Sequence, residues 1–217
     1  MKVLITGTSG GIGRTIARRF LEEGHEVFGI DVREPSFTHE NYRHFVCSVN
    51  DADLPELDDI GILISNAGVQ GTADDIDVNL KGAINVCERY LSPSLKAVLF
   101  ISSASALTGA EFPSYAASKA GLLGYMKNLA RRLAPQGAVC NALCPGGVLT
   151  ESNRPVTDDP EKWARIMAAT PLGKWMTEDE CADWAVFLTL TNRSCTGQAI
   201  LADNGEASIP VSTEFVW

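Results

Sequence analysis

Residues 3–13 read Val3-Leu4-Ile5-Thr6-Gly7-Thr8-Ser9-Gly10-Gly11-Ile12-Gly13. An apolar run gives way to a polar turn that carries glycines at 7, 10, 11 and 13. Three consecutive apolar residues read as a strand buried on both faces. Ile12, Ile16 and Phe20 recur at four-residue spacing, so residues 11–23 read as a helix with Gly24 just past its end. Glycine lets the connecting backbone turn sharply and lie against a ligand. The helix start then offers free N–H groups and a partial positive charge to a phosphate. The same glycines could serve an ordinary tight turn, so the context decides. Here a strand precedes the turn, a helix follows, and Asp31 stands at the tip of the next apolar run, Val27-Phe28-Gly29-Ile30. A carboxylate there can accept both hydroxyls of a ribose and repels a 2′-phosphate. Arg33, two positions on, is expected to point away from this corner.

Outward from this stretch, apolar runs alternate with helical patterns. Strands are expected at 45–47, 62–64, 97–101, 139–143 and 199–201, and helices at 79–91, 114–134 (stopped by Pro135) and 178–190. A parallel return needs about a dozen residues, and these connections supply them. The expected fold is α/β: a doubly wound parallel sheet, the Rossmann fold, as a single three-layered domain over 1–217. Residues 151–172 are expected to form a substrate lid carrying Arg154, Trp163 and Met167, and 209–217 a C-terminal tail.

Composition agrees with a soluble globule: 217 residues, 45% hydrophobic and 21% charged. A single domain of this length buries roughly 70% of its unfolded surface and needs no staple. The formal charge of −9, from 18 basic and 27 acidic residues, argues against nucleic-acid binding. No apolar run is long enough for a membrane helix. The six cysteines form no CxxC pair. Cys140 and Cys144 would lie about 13 Å apart on a strand, too far to share a metal ion. They read as buried thiols, and no metal site is expected. With the first strand beginning at Lys2, no cleavable leader is expected, and a reducing cytoplasm is the expected location.

Tyr115-Ala116-Ala117-Ser118-Lys119 opens the long helix. A spacing of four places Tyr115 and Lys119 on one face. A nearby ammonium stabilises phenolate and lowers its pKa from the usual ~10. Ser102-Ser103 ends the fifth strand at the sheet edge where ligands bind in such folds. Each signal alone is weak.

Together, and in this order, the motifs resemble the short-chain dehydrogenase/reductase family, in its compact catalytic branch, over about residues 2 to 206. TGTSGGIG at 6–13 is similar to the family's coenzyme loop, Asn66-Ala67-Gly68 to its NAG, Asn79 to its helix asparagine, Tyr115 and Lys119 to its YxxxK, and Pro145-Gly146 with Thr150 to its PG…T segment. The resemblance implies that Tyr115 exchanges the proton with a substrate oxygen and that Lys119 lowers its pKa. It implies that Ser103 polarises the carbonyl and that Asn79 anchors a relay water. It also implies an NAD site formed by Gly7, Ser9, Gly10, Gly11, Ile12, Gly13, Asp31, Ser48, Val49, Asn66, Ala67, Gly68, Tyr115, Lys119, Pro145, Gly146, Val148 and Thr150. The implied activity is NAD(H)-dependent interconversion of a secondary alcohol and a ketone, with a hydroxysteroid, a 3-hydroxyacyl compound or a similar small apolar molecule as substrate. The alternative is a nucleotide-sensing binding protein on the same fold without turnover.

Three departures stand out. Ser65 and Ser48 replace the usual Asn and Asp, and the middle is short: 13 residues separate Ser48 from Ile62, and 12 separate Asn66 from Asn79. A vestigial helix is expected at 51–58. The long helix presents Ala116, Ala117, Ala120, Gly121 and Gly124, which, with the resemblance, implies a homodimer or homotetramer. Phe215 and Trp217 in the tail are expected to be buried.

Overall fold

Seven strands form one sheet: β1 (Lys2–Thr6), β2 (Glu26–Asp31), β3 (Tyr42–Val46), β4 (Ile60–Ser65), β5 (Ala97–Ile101), β6 (Val139–Pro145) and β7 (Ala199–Ala202). The computed structural model describes residues 1–209. The strand order is β3-β2-β1-β4-β5-β6-β7, and every neighbouring pair is parallel. The doubly wound sheet read from the alternation is the one observed. Chain order reverses between β1 and β4, which opens a crevice at the carboxyl ends of the strands.

The two faces of the sheet follow from the twofold period of a strand. Val3 and Ile5 point to one side, where α1 (Gly11–Glu22) and α7 (Glu178–Val186) bury Ile16, Phe20, Ala182 and Ala185. Leu4 points to the other, where α2 (Ala83–Tyr90) and α4 (Pro113–Leu133) bury Val86, Leu122, Met126 and Leu129. Each of the larger of these side chains contributes about 1.5–3 kcal/mol of burial free energy. A short α3 (Ser105–Thr108) follows β5. Gly24, at φ +78, ends α1, and the amide of the next residue, His25, donates back to Phe20 O. Pro113 begins α4, where its missing N–H is of no consequence.

The expected lid folds as a 3₁₀ turn (Glu151–Asn153), α5 (Arg154–Thr157) and α6 (Pro160–Ala169). Asp159 caps α6 by accepting from the amides of Glu161 and Lys162, both at 3.1 Å. Trp163 packs edge-on against Trp175, with ring centroids 5.2 Å apart.

Residues 51–58 form no helix, contrary to the expectation. Pro55 interrupts the run and Asp59 adopts a left-handed φ of 59. The segment is instead an irregular strap, anchored by buried Leu54 and by the Tyr90 hydroxyl donating to Pro55 O at 2.7 Å. The tail expectation for Phe215 and Trp217 lies outside the described residues. Among the described residues, no helix is long and apolar enough to cross a membrane.

Candidate active site

The crevice begins at the glycine loop. Gly7 holds φ +76, a conformation open to glycine. A Cβ on Gly13 would overlap the Gly7 carbonyl oxygen and the Asn66 amide, so only glycine lets α1 press this closely on β1. Asn66 clamps the loop from β4: its Nδ2 donates to Thr6 O (3.0 Å) and Gly7 O (3.3 Å), while Thr6 Oγ1 accepts from the amides of Asn66 and Ala67. No side chain caps the start of α1 and no acidic residue sits in its first turn. That exposed positive end fits a pyrophosphate.

Asp31 is buried at the end of β2. Its Oδ2 accepts from the Ser9 amide at 2.9 Å, and its Oδ1 from the Arg33 amide at 3.0 Å. Arg33 does not point away. Its Nε lies 3.4 Å from Asp31 Oδ1, and its Nη2 would be 3.1 Å from a Cβ on Gly10. The carboxylate attracts the guanidinium across two residues and lays it along the loop. Arg14 and Arg154 line the same cleft with Ser9, Gly10, Gly11 and Thr150. Ser48 is used locally: its amide donates to Asp51, and its Oγ accepts from Asn50. The Val49 side chain belongs to the core, so neither residue brings a side chain to the two cavities described in this section.

Beyond the loop lies a cavity of about 1070 Å³, lined by Ile12, Asn66, Gly68, Ser103, Tyr115, Lys119, Pro145, Gly146, Val148 and Thr150, among others. The chain thus collects most of the sequence-derived site at one sheet edge. Lys119 is buried, and its ammonium donates to Ile101 O at 2.9 Å while lying 5.8 Å from the Tyr115 ring centroid. Burial lowers its pKa to about 8. Burial also raises the Tyr115 phenol, Ser103 pulls it down, and the charges of Glu111 and Asp75 push it up. Burial dominates, so the phenol stands above its ordinary value rather than below it as the lysine pairing implies.

Ser102 and Ser103 both line the cavity but are bonded differently. Ser102 is buried and donates to the backbone carbonyl of Lys119 at 2.9 Å. Ser103 is half-buried and donates to Ser105 Oγ at 3.2 Å. Asn79 sits buried in a π-helical turn (Asp77–Gly82) that leads into α2. Its Nδ2 donates to Val69 O (2.8 Å) and Ser118 Oγ (3.0 Å), and its Oδ1 accepts from the Val69 amide (2.8 Å). Both amide hydrogens are committed, so the side chain ties down the loop after β4.

Sequence reasoning missed Glu111, Gln70, Trp175 and Glu206, which also line the cavity. They come from separate loops with no local pattern to mark them. From residues 151–172, Val156 and Ile166 reach the cavity wall, whereas Trp163 and Met167 are absent from it.

A family model described as enoyl-(acyl carrier protein) reductase matches residues 56–206. The 3-oxoacyl-[acyl-carrier-protein] reductase FabG of Salmonella typhimurium is 29% identical over 93% of this chain and 95% of its own length. A Burkholderia thailandensis oxidoreductase of the short chain dehydrogenase/reductase family superposes with a TM-score of 0.86, at 27% identity, over 96% of this chain and 93% of that one. A putative 2-deoxy-D-gluconate 3-dehydrogenase from Agrobacterium tumefaciens, solved with bound NADP, superposes at 0.82, with 25% identity over 94% and 95%. With its parallel sheet, its glycine loop and Tyr115 and Lys119 on one helix, this chain belongs to the short-chain dehydrogenase/reductase family of oxidoreductases.

Proposed function

We propose that this chain interconverts a secondary alcohol and a ketone using a nicotinamide nucleotide. The observation that carries the reading is the meeting of Tyr115, Ser103 and Lys119 on one cavity next to an uncapped, glycine-lined helix start. The glycine loop and the start of α1 would hold the pyrophosphate, Asp31 the adenosine ribose, and Pro145, Gly146, Val148 and Thr150 the far end. A nicotinamide bound there supplies the hydride chemistry. Tyr115 gives or takes the proton at the substrate oxygen. Ser103 donates a hydrogen bond to that oxygen as charge develops on it. Lys119, kept dry by its burial, places positive charge behind the phenol and favours phenolate when the proton leaves.

Asp31 supports NAD(H) as coenzyme, since Oδ2 keeps a lone pair for a ribose hydroxyl. Arg33 moderates that preference, because its guanidinium offers a 2′-phosphate a cation at the same corner. The NADP held by the Agrobacterium relative accords with this. Our reading is NAD(H) preferred and NADP(H) accepted. A homodimer or homotetramer is also proposed: Ala117, Ala120 and Gly124 stand exposed on α4, and no atom lies within 4 Å of where a Gly124 Cβ would sit.

The test is absorbance of the reduced nicotinamide with a panel of secondary alcohols and ketones. Tyr115→Phe should lower turnover by at least about 10²-fold while coenzyme still binds. Coenzyme binding without turnover of any panel member would favour a nucleotide-sensing protein.

A further inference from the structure

The substrate half of the cavity has a charge pattern of its own. Glu111 and Glu206 come from distant segments and both line it. Glu111 Oε2 accepts from Gln70 Nε2 at 2.7 Å and Ser105 Oγ at 3.1 Å, and Glu206 Oε2 accepts from the Trp175 indole at 3.2 Å. Among the described residues, Glu111 Oε1 has no hydrogen-bond donor, and the Gly147 amide adds to the indole at the Glu206 carboxylate. Among the described residues, the one basic side chain in the lining is Lys119, and its ammonium is turned to Ile101 O. The arginines line the neighbouring coenzyme cleft instead. Residues 210–217 contain no Lys or Arg that could change this balance. Burial pushes the Glu206 carboxyl up, the hydrogen bonds from Trp175 and the Gly147 amide pull it down, and the charges of Asp203 and Glu111 add to the rise.

We infer that the alcohol handled here is a neutral polyol, a sugar or sugar alcohol, whose hydroxyls donate to the remaining lone pairs of the Glu111 and Glu206 carboxylates. This rests on the oxidoreductase reading above. An anionic alcohol meets two carboxylates and no free cation. A hydrocarbon alcohol or acyl thioester covers two carboxylate oxygens without pairing them, and an unpaired buried acceptor is costly. A donor-rich neutral ligand pairs both. The two carboxylates thus set specificity by rejection as well as by attraction.

The experiment compares sorbitol, glucose and myo-inositol with gluconate, cyclohexanol and a 3-oxoacyl thioester, using the full chain and both coenzymes. The neutral polyols should give the highest kcat/KM. Glu206→Gln and Glu111→Gln keep the shape and remove the charge. Each should raise KM for the preferred polyol at least about fivefold and lower KM for gluconate. Thermal shift by the same ligands gives a binding readout independent of turnover, and unchanged melting of the unliganded variants confirms folding. Preference for gluconate, cyclohexanol or the thioester would overturn the inference and leave the oxidoreductase reading standing. So would glutamine variants with an unaltered ratio of the two KM values. Absence of turnover with every compound would overturn both.

Discussion

Replacing Lys119 with methionine should make the protein more stable at neutral pH while removing its activity. The ammonium is buried, with its pKa lowered from 10.5 to about 8. That difference corresponds to about 3 kcal/mol of destabilisation at pH 7. Methionine fills similar volume without the charge. It forfeits the hydrogen bond to Ile101 O, which offsets about 1 kcal/mol. A net gain of about 2 kcal/mol should raise Tm by about 4–8 °C for a domain of this size. The unfolded chain keeps the lysine proton up to about 10.5, while the folded chain releases it near 8. Wild-type stability from this group therefore rises with pH across that window, and the advantage of the variant shrinks. Urea unfolding of both proteins at pH 7 and pH 10 measures it. A variant less stable than wild type at pH 7, or a difference independent of pH, would refute the reasoning.

Arg33→Ala should lower kcat/KM for NADPH by about tenfold, with a much smaller effect on NADH; equal losses for both coenzymes would remove Arg33 from phosphate recognition. Gly13→Ala drives a methyl into the Gly7 carbonyl and the Asn66 amide, so it should cost about 1–3 kcal/mol and abolish coenzyme binding, measured by calorimetry. Ser103→Ala should cut turnover by about 10²-fold. Ser102→Ala should instead lose about 1 kcal/mol of stability with milder kinetics, because it removes the side-chain hydrogen bond to the Lys119 carbonyl; the reverse ranking would exchange the two roles. Light scattering at micromolar concentration should give a dimer or tetramer mass, and a monomer would count against the α4 face.

Local pattern carried much of this molecule. Runs such as Val3-Leu4-Ile5 and the fourfold spacing of Ile12, Ile16 and Phe20 set strand and helix, because burial on a sheet or along one helix stripe demands those periods. The glycines at 7, 10, 11 and 13 announced a phosphate loop because their effect is on their own backbone. Tyr115 and Lys119 were legible together because a helix turns fixed angles per residue. The segment at 51–58 was misjudged because Pro55 and Leu54 answer to a core that the local sequence does not display. The direction of Arg33 came from its pairing with Asp31 across the loop, and the role of Asn79 from Val69 and Ser118, reached only when the chain folds back. Glu111 and Glu206 are the clearest case: nothing near either marks it as part of a site. Each occupies a loop, and only the closure of the sheet edge brings both into one cavity, where the sign of their charge becomes a property of the site rather than of the surface.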